Sequence, residues 1–321
     1  MFPLSSRSPH MNKYELVFLN SGVVAFPHIT CELVAPSREP VSRRSMASLV
    51  YKTMAGRGRS VVAQRVLAAG SSLIECTPIA KVVKSAPAEV QYCQHCLGVA
   101  PRGMHHCSAA CADDSAGLRF LERVDLASLE AIHREQQRKF PLLVAQLLSK
   151  LLTGIQSTGA PPAAWENAMA LCHANLEPEA MPQVEAEHAQ LRDAFAAAGV
   201  ASAGTLELLL PLARYAQLLG AAQLNAFELR MSHGLLVSCL LPCEASFFNH
   251  SCDPNALISV GETQAVSFVA AREIAAGEEV CISYVATDLP HGERQHIFQH
   301  KYGFECECPV CRADAGHTYT P

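Results

Sequence analysis

Apolar positions along this chain follow three patterns in turn. From Gly56 to Lys84, short runs such as Val61-Val62, Leu73-Ile74 and Val82-Val83 are set off by glycines and a turn at Ala69-Gly70, which predicts two short strands. From 118 to 230 the period lengthens. Leu118, Leu121, Val124, Leu126 and Leu129 lead into the leucine-rich stretch from Pro141 to Leu152, whose proline suits a helix's first turn. Pro161, Pro162, Pro178, Pro182 and Pro211 punctuate further helices, and the leucine faces from Leu206 to Leu229 read as core. Beyond 230 strand patterns return. Leu235-Leu236-Val237 predicts a strand, and Ala256 to Val260 and Gln264 to Ala270 flank a Gly261-Glu262 turn as a hairpin. Ile274 to Val280 then leads into a strand expected to carry Tyr284.

Residues 1–54 predict an N-terminal extension, disordered or targeting. The apolar run between Glu15 and Glu32 is broken by Asn20, Ser21, Gly22, Pro27 and His28, and falls short of the roughly 18 continuous apolar residues of a spanning helix. No membrane span is therefore expected. Basic residues outnumber acids here, which resembles a mitochondrial or plastid transit peptide weakly, and Met46 is an alternative start.

With 321 residues, half of them hydrophobic, the chain can bury a full core. A net charge of −5 gives no global pull toward nucleic acid or anionic membrane. The 14 cysteines cluster at metal-like spacings in a long chain without a recognisable signal peptide, which favours a reducing compartment with zinc over a disulfide scaffold. Cys31, Cys76, Cys172, Cys239, Cys243 and Cys281 fall outside the clusters and read as small buried hydrophobes.

Two cysteine sets carry candidate chemistry. Cys93-x-x-Cys96 followed by Cys107-x-x-x-Cys111 supplies four thiolates at knuckle spacing, with His95, His105 and His106 as alternative ligands. Cys306, Cys308 and Cys311 are one thiolate short of a closed tetrahedral site. Cys252, in a polar turn with Asp253, Pro254 and Asn255, is a candidate for the fourth.

The order Asn249-His250-Ser251-Cys252-Asp253-Pro254-Asn255, then Gly277-Glu278-Glu279, then Ile282-Ser283-Tyr284, then Phe304 before the cysteine tail, resembles the SET-domain protein lysine methyltransferases. Within them it is most similar to the SMYD-like branch and to short plant trithorax-related SET proteins. The resemblance implies an α+β SET fold with a pseudoknot and a SET domain over 55–285. That domain would be split into strands at 55–90, a reduced MYND-like zinc insert at 91–117, a helical insert at 118–230 and a catalytic core at 231–285. A post-SET cysteine-rich tail would follow at 286–321. No additional helical-repeat domain is expected after Cys311.

The same resemblance implies transfer of methyl from S-adenosylmethionine to a lysine amine of a histone or another protein, with two zinc ions, one per cysteine set. Tyr284 takes the catalytic position. Asn249 and His250 hold the cofactor, with Ser246, Phe248 and Phe304 beside it, and Tyr302 walls the lysine channel. Gly58 matches the first glycine of a Gly-x-Gly cofactor turn, and Ser60 replaces the second, where a positive φ would strain it. Arg57 and Arg59 are placed to pair with the cofactor carboxylate or to stand as solvated charges, and Asn225 to contact the cofactor or to end a helix. A monomer in nucleus or cytoplasm is expected, with no direct nucleic-acid contact. The rival reading is a catalytically inactive zinc adaptor that keeps the fold and mediates protein contacts. Ala286, in place of an acid two positions after the tyrosine, is a further departure from the pattern.

Overall fold

A computed structural model describes residues 29–30, 48–136, 140–260 and 265–316. Met46, Cys31, the Gly261-Glu262 turn and most of the expected N-terminal extension lie outside them.

The strands are β1 (Ile29–Thr30), β2 (Leu49–Met54), β3 (Gly58–Ala63), β4 (Ser72–Cys76), β5 (Ala80–Ser85), β6 (His173–Ala174), β7 (Ala226–Arg230), β8 (Leu236–Leu240), β9 (Asn249–His250), β10 (Ala256–Val260), β11 (Val266–Ala270) and β12 (Cys281–Ile282). The helices are α1 (Ala109–Asp114), α2 (Ala127–Gln136), α3 (Phe140–Thr158), α4 (Ala163–Met169), α5 (Met181–Ala197), α6 (Ala203–Leu209), α7 (Leu212–Asn225), α8 (His291–Ile297) and α9 (Pro309–Gly316).

Pairings join early strands to late ones across the helices. β4 pairs antiparallel with β11, which pairs with β10, and β5 pairs with β8, which pairs with β7. β2 and β3 form a hairpin from Leu49↔Ala63 to Met54↔Gly58, and single bridges join Val62 to Glu279 and Leu67 to Ile274. β9 and β12 run parallel, with Asn249 opposite Cys281 and His250 opposite Ile282.

Three apolar clusters follow. One fills the helical layer around Leu143, Leu147, Leu191, Phe195, Tyr215 and Leu219 and reaches Ile79, just before β5, and Leu240 in β8. A second lies among the strands around Ile74, Val237, Phe248 and Phe268. The third, in the tail, holds Val285 and Phe298 with Cys252, Cys306, Cys308 and Cys311.

Several expectations change. Leu49–Met54, placed in the extension, is a strand, because β3 gives its backbone a full partner. Gly56 to Lys84 carries three strands where two were expected, since Gly70 (φ +79°) turns the chain once and Pro78 separates β4 from β5. The helical middle ends in a strand, β7, which closes the β5–β8 sheet. Leu208 is exposed, unlike the other leucines of that face. Tyr284 sits two residues past β12, in the bend that follows it. Cys76, Cys239, Cys243 and Cys281 are buried thiols as expected, but Cys172 is disulfide-bonded. It lies directly before β6, whose pairing with β1 brings an N-terminal segment alongside.

Candidate active site and two cysteine centres

The site is built where the β2–β3 hairpin, the turn after Phe247, the turn before β12 and the tail meet. Asn249 ties the first three together. Its side-chain amide donates toward the carbonyls of Arg57 (3.2 Å) and Arg59 (3.0 Å), the Ser60 hydroxyl (2.9 Å) and the Glu279 carboxylate (2.8 Å). Ser60 is fully buried in β3 and keeps a negative φ, so the serine is unstrained and supplies an acceptor that glycine lacks.

Asn255 repeats the device one turn later. Its amide donates to the Glu278 carboxylate and the Glu279 carbonyl, both at 2.8 Å, and its carbonyl oxygen accepts from the Cys281 N–H at 2.8 Å. Glu278 also accepts from Arg272 (2.8 Å) and the Ala275 N–H (2.9 Å). Burial works against its charge, but these donors win and hold its carboxyl below the ordinary range. The Gly277-Glu278-Glu279 turn therefore clamps the Asn249–Asn255 turn. Neither Glu279 nor Asn255 was assigned a role from sequence; the recurrence of both motifs in order was the only signal.

Arg57 does not stand free for a ligand carboxylate. Its guanidinium donates to Glu279 (3.0 Å), the His250 carbonyl (3.2 Å) and the Cys281 sulfur (3.4 Å). Arg59 lies 4.3 Å over the Phe247 ring and donates to the Ala170 carbonyl and the Cys172 sulfur. Asn225 ends α7, and its amide donates to the Ala221 and Cys172 carbonyls, so the helix-terminal reading describes its contacts. Ser246 donates to the Cys243 carbonyl at 2.6 Å. Phe248 turns its ring into the strand core against Phe268, 4.6 Å between centroids, and offers the site only its carbonyl.

That carbonyl receives the Tyr284 hydroxyl at 2.8 Å. The Tyr284 ring lies 5.0 Å from Tyr302 and 6.5 Å from Phe304, and Phe304 stacks on Phe298 at 5.2 Å. Burial raises the pKa of both phenols, so both stay neutral near pH 7. Gly56 and Gly58, at φ +72° and +68°, have open space where a side chain would begin, which leaves the hairpin turn bare for a ligand's close approach.

His250 links this aromatic group to the tail cysteines. Its Nδ1 accepts from the Tyr284 N–H at 3.0 Å, which fixes the ring proton on Nε2, and Nε2 faces the Cys252 sulfur at 3.3 Å. The sulfurs of Cys252, Cys306, Cys308 and Cys311 lie within 4.8 Å of one another, as do those of Cys93, Cys96, Cys107 and Cys111. Four thiolates at zinc–sulfur distances of about 2.3 Å stand about 3.8 Å apart. The pairs Cys252–Cys311 (3.5 Å), Cys96–Cys107 (3.6 Å) and Cys107–Cys111 (3.4 Å) are close to that spacing. Both sets therefore fit zinc, and His95, His105 and His106 belong to neither group. Leu97, at φ +64°, takes a left-handed conformation that turns the chain after Cys96, and Gln295 pairs with both backbone groups of Cys306.

The SET domain family model matches residues 58–285, more than two thirds of the chain. The chain belongs to the SET domain family. It is 25% identical to the Arabidopsis thaliana protein named histone-lysine N-methyltransferase ATXR4, over 94% of this chain and 98% of that one. It is 26% identical to Arabidopsis thaliana histone-lysine N-methyltransferase ASHR2, over 81% and 70%. A shorter match, 47% identical over 73 residues, is to mouse protein-lysine N-trimethyltransferase SMYD5, covering 21% of this chain and 17% of that one. Among solved structures, one titled as the SET domain of LSMT bound to lysine and AdoHcy aligns at TM-score 0.40 and 13% identity, covering 81% of this chain and 53% of that chain. Within the matched segment His250 and Tyr284 touch, and Tyr302 and Phe304 of the tail lie against them. Among the described residues, no helix is long and apolar enough to cross a membrane.

Proposed function

We propose that this chain is an S-adenosylmethionine-dependent protein-lysine N-methyltransferase acting on a histone or another protein, with Tyr284 at its catalytic position. The observation that carries this is the Tyr284 phenol, anchored on the Phe248 carbonyl beside the Asn249-His250 turn and walled by Tyr302 and Phe304. Membership of the SET family and the names of the full-length relatives support it.

The residues fit the cofactor. Gly56 and Gly58 leave the turn open, and the half-buried Phe304 lies in the same aromatic group as Tyr284. When bound, S-adenosylmethionine supplies an electrophilic methyl group on a sulfonium. The chain's own part is alignment, exclusion of water and an uncharged amine. Aromatic walls desolvate an incoming ammonium, whose reference pKa is ~10.4, and so favour loss of its proton. The Tyr284 hydroxyl orients the amine. With its pKa raised by burial it is no base near neutral pH.

On this reading residues 91–117 form the reduced MYND-like zinc insert, 118–230 the helical insert, 231–285 the catalytic core and 286–321 the post-SET tail. The parallel pair β9–β12 would then belong to the pseudoknot of the SET fold. On this reading the protein works as a monomer in nucleus or cytoplasm, and the histone in the names of its relatives fits the nucleus.

Calorimetric titration of zinc-loaded protein with S-adenosylmethionine tests the cofactor site, and labelled methyl transfer to histones and other lysine-bearing proteins tests the reaction. Tyr284→Phe should keep cofactor affinity while transfer falls on the order of a hundredfold or more. Cofactor binding without transfer to any protein, its own chain included, would favour the zinc-adaptor reading.

A further inference from the structure

Lys301 stands against Tyr302, one ring of the aromatic group that the proposed reaction would use to receive a lysine. It is half-buried in the π-helical turn Phe298–Tyr302, just before Gly303 reverses the chain at φ +70°. Its Nζ lies 4.9 Å from the centre of the Tyr302 ring, and that ring is 5.0 Å from Tyr284. Cation–π contact with such a ring is how an aromatic wall holds an ammonium.

Burial brings the Lys301 pKa down to about 8, against the Glu228 carboxylate, which raises it. Glu228 is also paired with Lys84 at 3.1 Å. The Lys301 amine is therefore neutral far more often than that of an exposed lysine.

We propose that Lys301 is an intramolecular methyl acceptor, so that the chain modifies its own tail beside Tyr284. The inference rests on the methyltransferase reading above. The ammonium first gives a proton to solvent. The nitrogen lone pair then bonds the methyl carbon of S-adenosylmethionine while the carbon–sulfur pair returns to sulfur, leaving S-adenosylhomocysteine and N-methyl-lysine.

Two other lysines supply internal controls. Burial also brings Lys81 and Lys150 down to about 8, yet their amines donate to the His95 and Ile79 carbonyls beside the other cysteine centre and the helical layer. A depressed pKa alone would mark all three lysines. Of the three, contact with the Tyr302 ring that flanks Tyr284 marks Lys301 alone.

The test incubates the zinc-loaded full chain with trideuteromethyl S-adenosylmethionine and maps the label by peptide mass spectrometry, with calorimetric cofactor binding measured on the same preparation. Expected is label on Lys301 and not on Lys81 or Lys150, at a fractional rate independent of protein concentration. Tyr284→Phe should reduce it on the order of a hundredfold or more, and Lys301→Arg should remove it without loss of cofactor binding. Cofactor binding with Lys301 unlabelled overturns the inference and leaves the methyltransferase reading standing. So does labelling whose fractional rate rises in proportion to concentration, since one molecule would then modify another. Absence of cofactor binding in folded, zinc-loaded protein overturns both.

Discussion

Asn249 has two amide hydrogens and four acceptors within 3.2 Å, so its side chain is shared among the hairpin, Ser60 and Glu279. Replacing it by alanine leaves those acceptors short of a donor, at a cost of about 1.5–3 kcal/mol for a hydrogen bond to a charged group. Replacing it by aspartate is worse despite the matching shape, because a carboxylate would face the Glu279 carboxylate and three further oxygens. Thermal melts should therefore rank wild type above Asn249→Ala and Asn249→Asp lowest, with cofactor affinity lost in both. An aspartate variant as stable as the alanine one would mean that the amide is not oriented as described. Sequence singled out Asn249 through its motif, but nothing local could show its partners at Arg57, Arg59 and Ser60. The same distance hid the reason that Ser60 is tolerated. The partner of Arg57 was hidden for a related reason: a charged residue beside a turn looks free until Glu279, far along the chain, arrives to pair with it.

Among the elements, cysteine spacing was the most legible feature, because a knuckle is local chemistry and its ligands must lie a few residues apart. Cys252 was harder to place and joins the tail only through the fold. Cys308→Ser should lower bound zinc from two ions per chain to one, by elemental analysis, and abolish cofactor binding with helix content retained. Unchanged affinity in that variant would show that the tail metal does not hold the pocket. Helix glycines were less legible. Gly220 in α7 reads as a small penalty against alanine of about 1 kcal/mol. Yet a methyl group there would meet the Ala174 carbonyl oxygen of β6 at 2.1 Å, and backbone cannot swing away as a side chain can. Gly220→Ala should therefore destabilise the protein by about 1–3 kcal/mol in denaturant unfolding, as overpacking does, reversing the sign that helix propensity gives. The alternation of strands and helices was readable to within an element. Among the exceptions, β2 and β7 are strands defined by a partner more than by their own pattern.

At the scale of the molecule the three clusters differ in what holds them. The helical layer buries Tyr215, Phe195 and many leucines, whereas the tail buries Phe298 and Val285 with four cysteines. Without metal the tail has too little apolar surface to stay closed, since a structural zinc site contributes directly to folding. It should then open locally while the helices persist. Hydrogen exchange reads this directly. Chelation should speed exchange at Cys306, whose N–H is held by Gln295, and at Tyr284, whose N–H is held by His250, while amides of α3 and α5 keep their protection. A ligand that binds only the closed tail stabilises it by mass action, about 2.7 kcal/mol at one hundred times its Kd. S-adenosylhomocysteine at that concentration should slow exchange at Tyr284 and Cys306 about a hundredfold where tail opening limits it, and leave α3 and α5 unchanged. Protection spread evenly over the chain would mean that tail and helices open as one cooperative unit, and the local role assigned to the tail metal would fall with it.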